Sequence, residues 1–276
     1  MLPPCARFIS HLTLPALREH LSCAPTPLHV GQSLTTHWAA RQAWRTGDDF
    51  RAIRTGREDR EVEIEVGKRG RGYLDPDFQR IHMGLGLFLD AFILDKIPSS
   101  DPASLPVAYL AQSDLLDDPA LAADVPALDV FKAGPQATVY RRTLWIGPRG
   151  SFTPFHRDPY IGLYSQVIGS KTFYVLPPEA APLLDPSTDP RHTNTSTIPI
   201  PVSSLFPNSS QELQGIDDIP PRIINRSREK LEEAFKLPGA STVSLQAGES
   251  VLVPEGWWHS AEGGDTAGIG VGAWFR

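Results

Sequence analysis

The chain has 276 residues, 41% hydrophobic and 21% charged, with a net charge of −6. This is an ordinary globular composition, long enough to bury a sizeable core; the acidic balance argues against nucleic acid as the main partner, and no run approaches the about 18 consecutive apolar residues of a membrane span. Cys5 and Cys23 do not form a zinc-type Cys-x-x-Cys pair, and Arg7, His11, Arg18, Glu19 and His20 interrupt any apolar signal-peptide core, so a reducing compartment, cytoplasm or nucleus, is expected.

In chain order, residues 14–21 are expected to form a short helix after an irregular lead, and Leu28-His-Val30 an edge strand. Ala, Trp and Arg at helical spacing predict a helix over 36–47. Val62-Glu-Ile-Glu-Val66 alternates apolar and acidic residues, the pattern of a half-buried strand. Lys68-Arg69-Gly70-Arg71 reads as a solvated loop. Ile81, Leu85, Leu87, Phe88 and Phe92 suggest a helix over 78–94, followed by a loop over 98–106. Residues 107–111 read as a strand, and 114–129 as a helix and a loop rich in Asp and Pro.

From Thr138 the pattern changes to short strands punctuated by Gly and Pro: 138–146, 152–157, 162–168 and 170–176. Such spacing suggests an all-β barrel or jelly roll. Residues 185–230, rich in Pro, Ser, Thr, Asn and Asp, read as a long insertion loop of the kind that carries function. A short helix over 229–235 and strands over 242–245, 250–254 and 267–275 complete the chain. No linker is evident, so the expectation is one domain over 1–276: an N-terminal α/β decoration (1–104) on a mainly β core (105–276).

Thr153-Pro-Phe-His156-Arg-Asp158 holds an imidazole and a carboxylate two residues apart, which on a strand share one face. His259, in Val251-Leu-Val-Pro-Glu-Gly-Trp-Trp-His259, is 103 residues beyond His156, a separation that a closed barrel can bring together and a local zinc finger cannot. Two His and one carboxylate with open positions form the facial triad of non-haem Fe(II) oxygenases, and thiolate ligands are absent. A His-x-Asp alone is more often a surface pair or a satisfied core histidine. Lys171, on the face of Phe173 and Val175, strengthens the case: a buried lysine needs an anionic partner, although a solvent-facing strand edge would serve as well. Tyr109 and Thr153 are candidate hydroxyls for a carboxylate clamp, and Trp257 and Trp258 are candidate walls around a metal.

Together these residues resemble the JmjC (cupin-like) family of 2-oxoglutarate oxygenases. The match runs through Tyr109-Leu-Ala-Gln112, Leu144-Trp-Ile-Gly-Pro148, Thr153-Pro-Phe-His-Arg-Asp158, Gln166-Val-Ile-Gly-Ser-Lys171 and Gly248-Glu-Ser-Val-Leu-Val-Pro-Glu-Gly-Trp-Trp-His259, and covers roughly residues 105–275. It is similar to the small JmjC-only protein hydroxylases more than to the large chromatin demethylases. The resemblance implies a double-stranded β-helix, with His156, Asp158 and His259 as iron ligands. It implies that Lys171 pairs with the distal carboxylate of 2-oxoglutarate and that Thr153 and Tyr109 hydrogen-bond it. Two positions depart from the pattern: many relatives have Asn where this chain has Gly162, and some have a polar contact at Trp274.

The implied activity is hydroxylation of a C–H bond, with O2 as oxidant and an amino-acid side chain of a protein or peptide as substrate. N-methyl demethylation by the same chemistry and a non-catalytic binding module are the alternatives. A homodimer is compatible with the resemblance. The 185–230 loop and the N-terminal region are the expected substrate-recognition surfaces.

Overall fold

The computed structural model describes residues 1–96, 98, 105–206 and 218–276. Among these, the strands are β1 (Arg7–Ile9), β2 (Leu28–Val30), β3 (Glu61–Gly67), β4 (Gln79–Gly84), β5 (Val107–Ser113), β6 (Val139–Gly147), β7 (Phe152–Arg157), β8 (Ile161–Ile168), β9 (Lys171–Leu176), β10 (Ser241–Leu245), β11 (Ser250–Val253), β12 (Trp258–Gly263) and β13 (Gly268–Phe275). They form a nine-stranded sheet, β1-β2-β11-β8-β13-β6-β5-β3-β4, and a four-stranded sheet, β10-β9-β12-β7. The run β11-β8-β13-β6 and the small sheet are antiparallel throughout. They are the two halves of a jelly-roll, double-stranded β-helix core. Among the described residues no helix is long and apolar enough to cross a membrane.

Side-chain alternation divides the core into three layers. Ile269, Val271, Ala273 and Phe275 of β13 pack outward, with Leu144, Ile146 and Leu163, against Leu17, Trp38, Trp44, Ile53 and Phe88 of the N-terminal part. Tyr174, Leu176 and Trp258 of the small sheet pack outward against Leu184, Ile200, Leu205 and Leu231. Between the sheets lie Phe173, Val175, Val243, Leu245, Val251, Val253 and Ala261. Burial on both faces is why these strands are nearly continuous apolar runs.

The inner face of β13 differs. Its alternate residues are Gly268, Gly270 and Gly272. A Cβ at Gly272 would come within 2.8 Å of the Trp145 indole nitrogen, and one at Gly270 would overlap the Tyr164 hydroxyl. The missing side chains leave room for large rings on β6 and β8 in the narrow space between the sheets.

Several elements depart from the sequence-based expectation. The helix expected over 36–47 shrinks to Ala40–Ala43, flanked by single turns at Gln32–Leu34 and Thr46–Asp48. Trp38 and Trp44 are instead fixed by tertiary bonds from their indole N–H groups to Pro126 O (3.1 Å) and Asp124 (2.8 Å). The helix expected over 78–94 begins as strand β4, because β3 offers a free edge and cross-strand partners; Arg80 lies opposite Glu65 and His82 opposite Glu63. Only Leu85–Phe88 and the wider turn Leu89–Ile93 are helical.

Leu28–Val30 is not an edge, since β1, which was not expected, pairs parallel outside it. The 185–230 stretch is not all loop. It contains helical residues Val202–Leu205, and the helix expected at 229 already begins at Pro221 and runs to Ala234. Residues 207–217 of that stretch, and most of the 98–106 loop, lie outside the described residues. Arg71 is not solvated: its side chain is 6% exposed and pairs with Asp75 and Asp218.

Candidate metal centre

β7 and β12 lie side by side in the small sheet, with His156 directly opposite His259. Their rings have centroids 4.2 Å apart. Asp158 lies one residue past the end of β7, not on the strand as expected, and its main-chain oxygen accepts a bond from Gly256 N (3.1 Å). One ligand atom from each of His156, Asp158 and His259 lies within 4.8 Å of the others, a separation that allows all three to hold one metal ion.

The hydrogen bonds set the chemistry of these donors. His156 Nδ1 lies 2.9 Å from Pro154 O, and His259 Nδ1 lies 3.3 Å from Trp257 O. A carbonyl oxygen only accepts, so each Nδ1 carries a proton and Nε2 is the nitrogen left free to meet a metal. Fixing the tautomer through the second ring nitrogen is what a metal-binding histidine needs. Burial, reinforced by the neighbouring His156, pushes His259 down to about 4, so it is neutral at pH 7 despite Asp158 beside it. Burial alone would raise the Asp158 carboxyl. His259, His156 and the Trp274 N–H outweigh it and hold the group below its usual range. Two imidazole nitrogens and one carboxylate, without thiolate, suit a divalent ion such as iron.

A bulge aligns the rest of this wall. Between the pairs His259–His156 and Ala261–Thr153, β7 has one residue more than β12. Strict alternation would turn Thr153 away from His156, but the extra residue turns both into one pocket. Pro154, which cannot donate to a ladder, sits in the bulge.

The far end of the pocket belongs to Lys171. It is 7% exposed, and its ammonium donates to Tyr109 Oη at 2.7 Å. It therefore does not face solvent at a strand edge. The rings of Tyr164, Tyr109 and Trp145 lie 5.0, 5.1 and 5.9 Å from Nζ. Among the described residues no carboxylate pairs with it, and burial pushes its pKa down to about 7. Burial likewise drives the Tyr109 hydroxyl well above its usual value, so it stays protonated. A buried cation without an anion, ringed by neutral donors, fits a carboxylate ligand. The pocket thus joins all six expected residues, Tyr109, Thr153, His156, Asp158, Lys171 and His259.

The tryptophan pair does not wall this pocket. Trp258 alternates outward from His259 into the layer beneath the small sheet, and Trp257 packs on Gly239. The walls are Trp145 and Trp274. Trp274 pairs across the strands with Gly162, and its indole nitrogen is 3.9 Å from where a Gly162 Cβ would stand. The two departures noted in the sequence are therefore one local exchange: a side chain is missing on β8 and a large one faces it on β13.

Beside His156 lie parts of the 185–230 stretch and of the N-terminal region, the two regions expected to face the substrate, although Tyr73, Thr195 and Glu65 were not singled out. Residues 194–196 bridge the outer edge of β7 through Arg157 N to Asn194 O (3.0 Å) and Ser196 N to Phe155 O (2.7 Å). Tyr73 reaches from the N-terminal part to Thr195 Oγ1 at 2.9 Å. Glu65, paired in register with Tyr109, lines the adjoining cleft, and burial raises its carboxyl. The acidic alternation of 61–65 was the available signal, but it indicated only a strand.

Comparison with known proteins agrees with this architecture. A family model described as a cupin-like domain matches residues 16–276. The lysine-specific demethylase JMJ30 of Arabidopsis thaliana is 28% identical over 236 residues, 85% of this chain and 46% of that protein. The HSPB1-associated protein 1 of Homo sapiens is 30% identical over 135 residues, 49% of this chain and 23% of that one. The lysine-specific demethylase JMJ32 of Arabidopsis thaliana is 27% identical over 305 residues, 98% of this chain and 84% of that protein. The chain thus spans less than half the length of the first two.

Proposed function

We propose that this chain, which belongs to the cupin-like JmjC domain family, is an Fe(II)- and 2-oxoglutarate-dependent oxygenase that hydroxylates a C–H bond in an amino-acid side chain of a protein or peptide. The observation that carries this reading is a single pocket with two tautomer-fixed imidazoles and a carboxylate at one end and a buried, anion-free lysine at the other. In this reading His156, Asp158 and His259 hold the iron. With 2-oxoglutarate and O2, the metal would supply the oxidising power for inserting oxygen into a C–H bond.

The chain's own residues do the rest. Lys171 neutralises the distal carboxylate of the cosubstrate, and the Tyr109 and Thr153 hydroxyls donate to it. Tyr109 can do so because its proton is held. Trp145 and Trp274 exclude water from the space between the two ends. The Tyr73–Thr195 contact lies beside β7, and Glu65 and Tyr73 line the neighbouring cleft that shares Tyr109 with the pocket; the substrate chain would be recognised on this side. The chain would act as one domain in the cytoplasm or nucleus.

The names of the relatives favour a second reading, N-methyl-lysine demethylation by the same machinery. Both are tested by anaerobic titration of the Fe(II)-loaded protein with 2-oxoglutarate, watching for the visible charge-transfer band of the chelate. A band in the wild type that is lost in His259→Ala supports the site. Its absence in folded, iron-loaded protein would leave a non-catalytic binding module. Mass spectrometry of peptides then separates a gained oxygen from a lost methyl with formaldehyde release.

A further inference from the structure

Each side chain of the proposed metal triad has one anchor. The two histidines hold theirs through Nδ1 to the carbonyls of Pro154 and Trp257. Asp158 lies outside the ladder, and a carboxylate turns about its last bond over a broad, two-fold profile. Among the described residues its one hydrogen-bond donor is the Trp274 indole N–H, 2.7 Å from Oδ2. That oxygen is also 3.6 Å from His259 Nε2, so the bond fixes the carboxylate with an edge toward the imidazole.

We infer that Trp274 is a positioning residue for the metal site: its N–H sets the rotation of the Asp158 carboxylate, and Gly162 is the residue opposite that makes room for it. The inference rests on the metal reading proposed above. Three observations support it independently. Trp274 is half-buried and lines the pocket together with Asp158. Its ring is buttressed by Trp145, 6.4 Å away between centroids. Its strand partner Gly162 has no side chain to displace it or to compete for Asp158. Indole nitrogen only donates, so the pairing has a single polarity, with the Asp158 oxygen as acceptor.

The test measures Co(II) binding to the full chain by calorimetry and by the visible Co(II) spectrum, with no turnover required. Trp274→Phe keeps a ring and removes the donor; Trp274→Gln gives up the ring and keeps an N–H. We expect Phe to weaken Co(II) binding about 10- to 100-fold, the usual effect of losing a partner that orients a ligand. We expect Gln to bind more tightly than Phe, and the Phe spectrum to change as the carboxylate is freed to turn. Phe binding as tightly as wild type with an unchanged spectrum would overturn the inference. So would Gln binding no more tightly than Phe, since a weaker Gln variant would make the role one of packing by the ring. His259→Ala keeps the two questions apart: if wild type binds Co(II) no better than His259→Ala, the metal reading itself has failed.

Discussion

Lys171 gives the proposed cosubstrate site a pH dependence of definite sign. Burial brings its amine from 10.5 down to about 7, even though the three rings around Nζ favour the ammonium. A dicarboxylate entering the pocket supplies the missing anion, so the lysine's pKa in the complex lies above that in the free protein. Below about pH 7 the amine is already charged and affinity is flat. Above it, each anion bound must draw a proton from solution, and affinity falls by up to about tenfold per pH unit until the pKa of the complex is reached. With a free value near 7, uptake is about 0.9 proton per ligand at pH 8 and about 0.1 at pH 6. The assay is calorimetric titration of the Mn(II)-loaded protein with 2-oxoglutarate in buffers of different ionisation enthalpy; the dependence of the observed heat on that enthalpy counts the protons. Lys171→Arg, charged throughout this range, should take up none. Uptake near zero at pH 8 in the wild type, or equal uptake in the Arg variant, would refute the reasoning.

Gly270→Ala should destabilise the fold by about 1–3 kcal/mol through overpacking, because its methyl would overlap the Tyr164 hydroxyl; an unchanged denaturation midpoint would show that β13 shifts freely. Tyr73→Phe removes the hydroxyl that bonds to Thr195, and is expected to cost about 1 kcal/mol and to speed proteolysis within residues 187–199. Equal cleavage rates in the two proteins would mean that the bond does not hold that segment. Co(II) should raise the melting temperature of the wild type and leave that of His156→Ala unmoved, since a metal that binds only the native state stabilises by mass action.

Most strands of the core are legible because each is short, apolar and bounded by Gly or Pro, and the expected 152–157 coincides with β7; β12 (Trp258–Gly263), which carries His259, is not among the expected strands. The N-terminal third was less so. Ile81, Leu85 and Phe88 fit a helical period, yet the first of them sits in a strand, because pairing with β3 satisfies a whole edge of backbone groups that no periodicity records. The six site residues carried distinctive chemistry and converge on one pocket. Trp257 and Trp258 adjoin His259 in sequence but do not line its pocket, because alternation turns Trp258 to the opposite face. The role of Trp274 depends on a contact across 116 residues to Asp158, and nothing local to either residue announces it.

The two ends of the pocket need opposite departures from an ideal sheet, and that explains why the same chain is regular in some strands and broken in others. Facing sheets stand about 10 Å apart, too little for large side chains from both. At the lysine end the conflict is resolved by subtraction: the inward residues of β13 are glycine, and Tyr164 and Trp145 occupy the vacated space around Nζ. At the metal end it is resolved by irregularity. The bulge in β7 turns Thr153 and His156 the same way, and the strand stops before Asp158, so that its carboxylate can swing back toward His259. Irregular backbone holds a side chain less firmly than a ladder does. The one ligand without a ladder is therefore the one that needs a donor from another strand, and Trp274 provides it at the point where the glycine series of β13 ends.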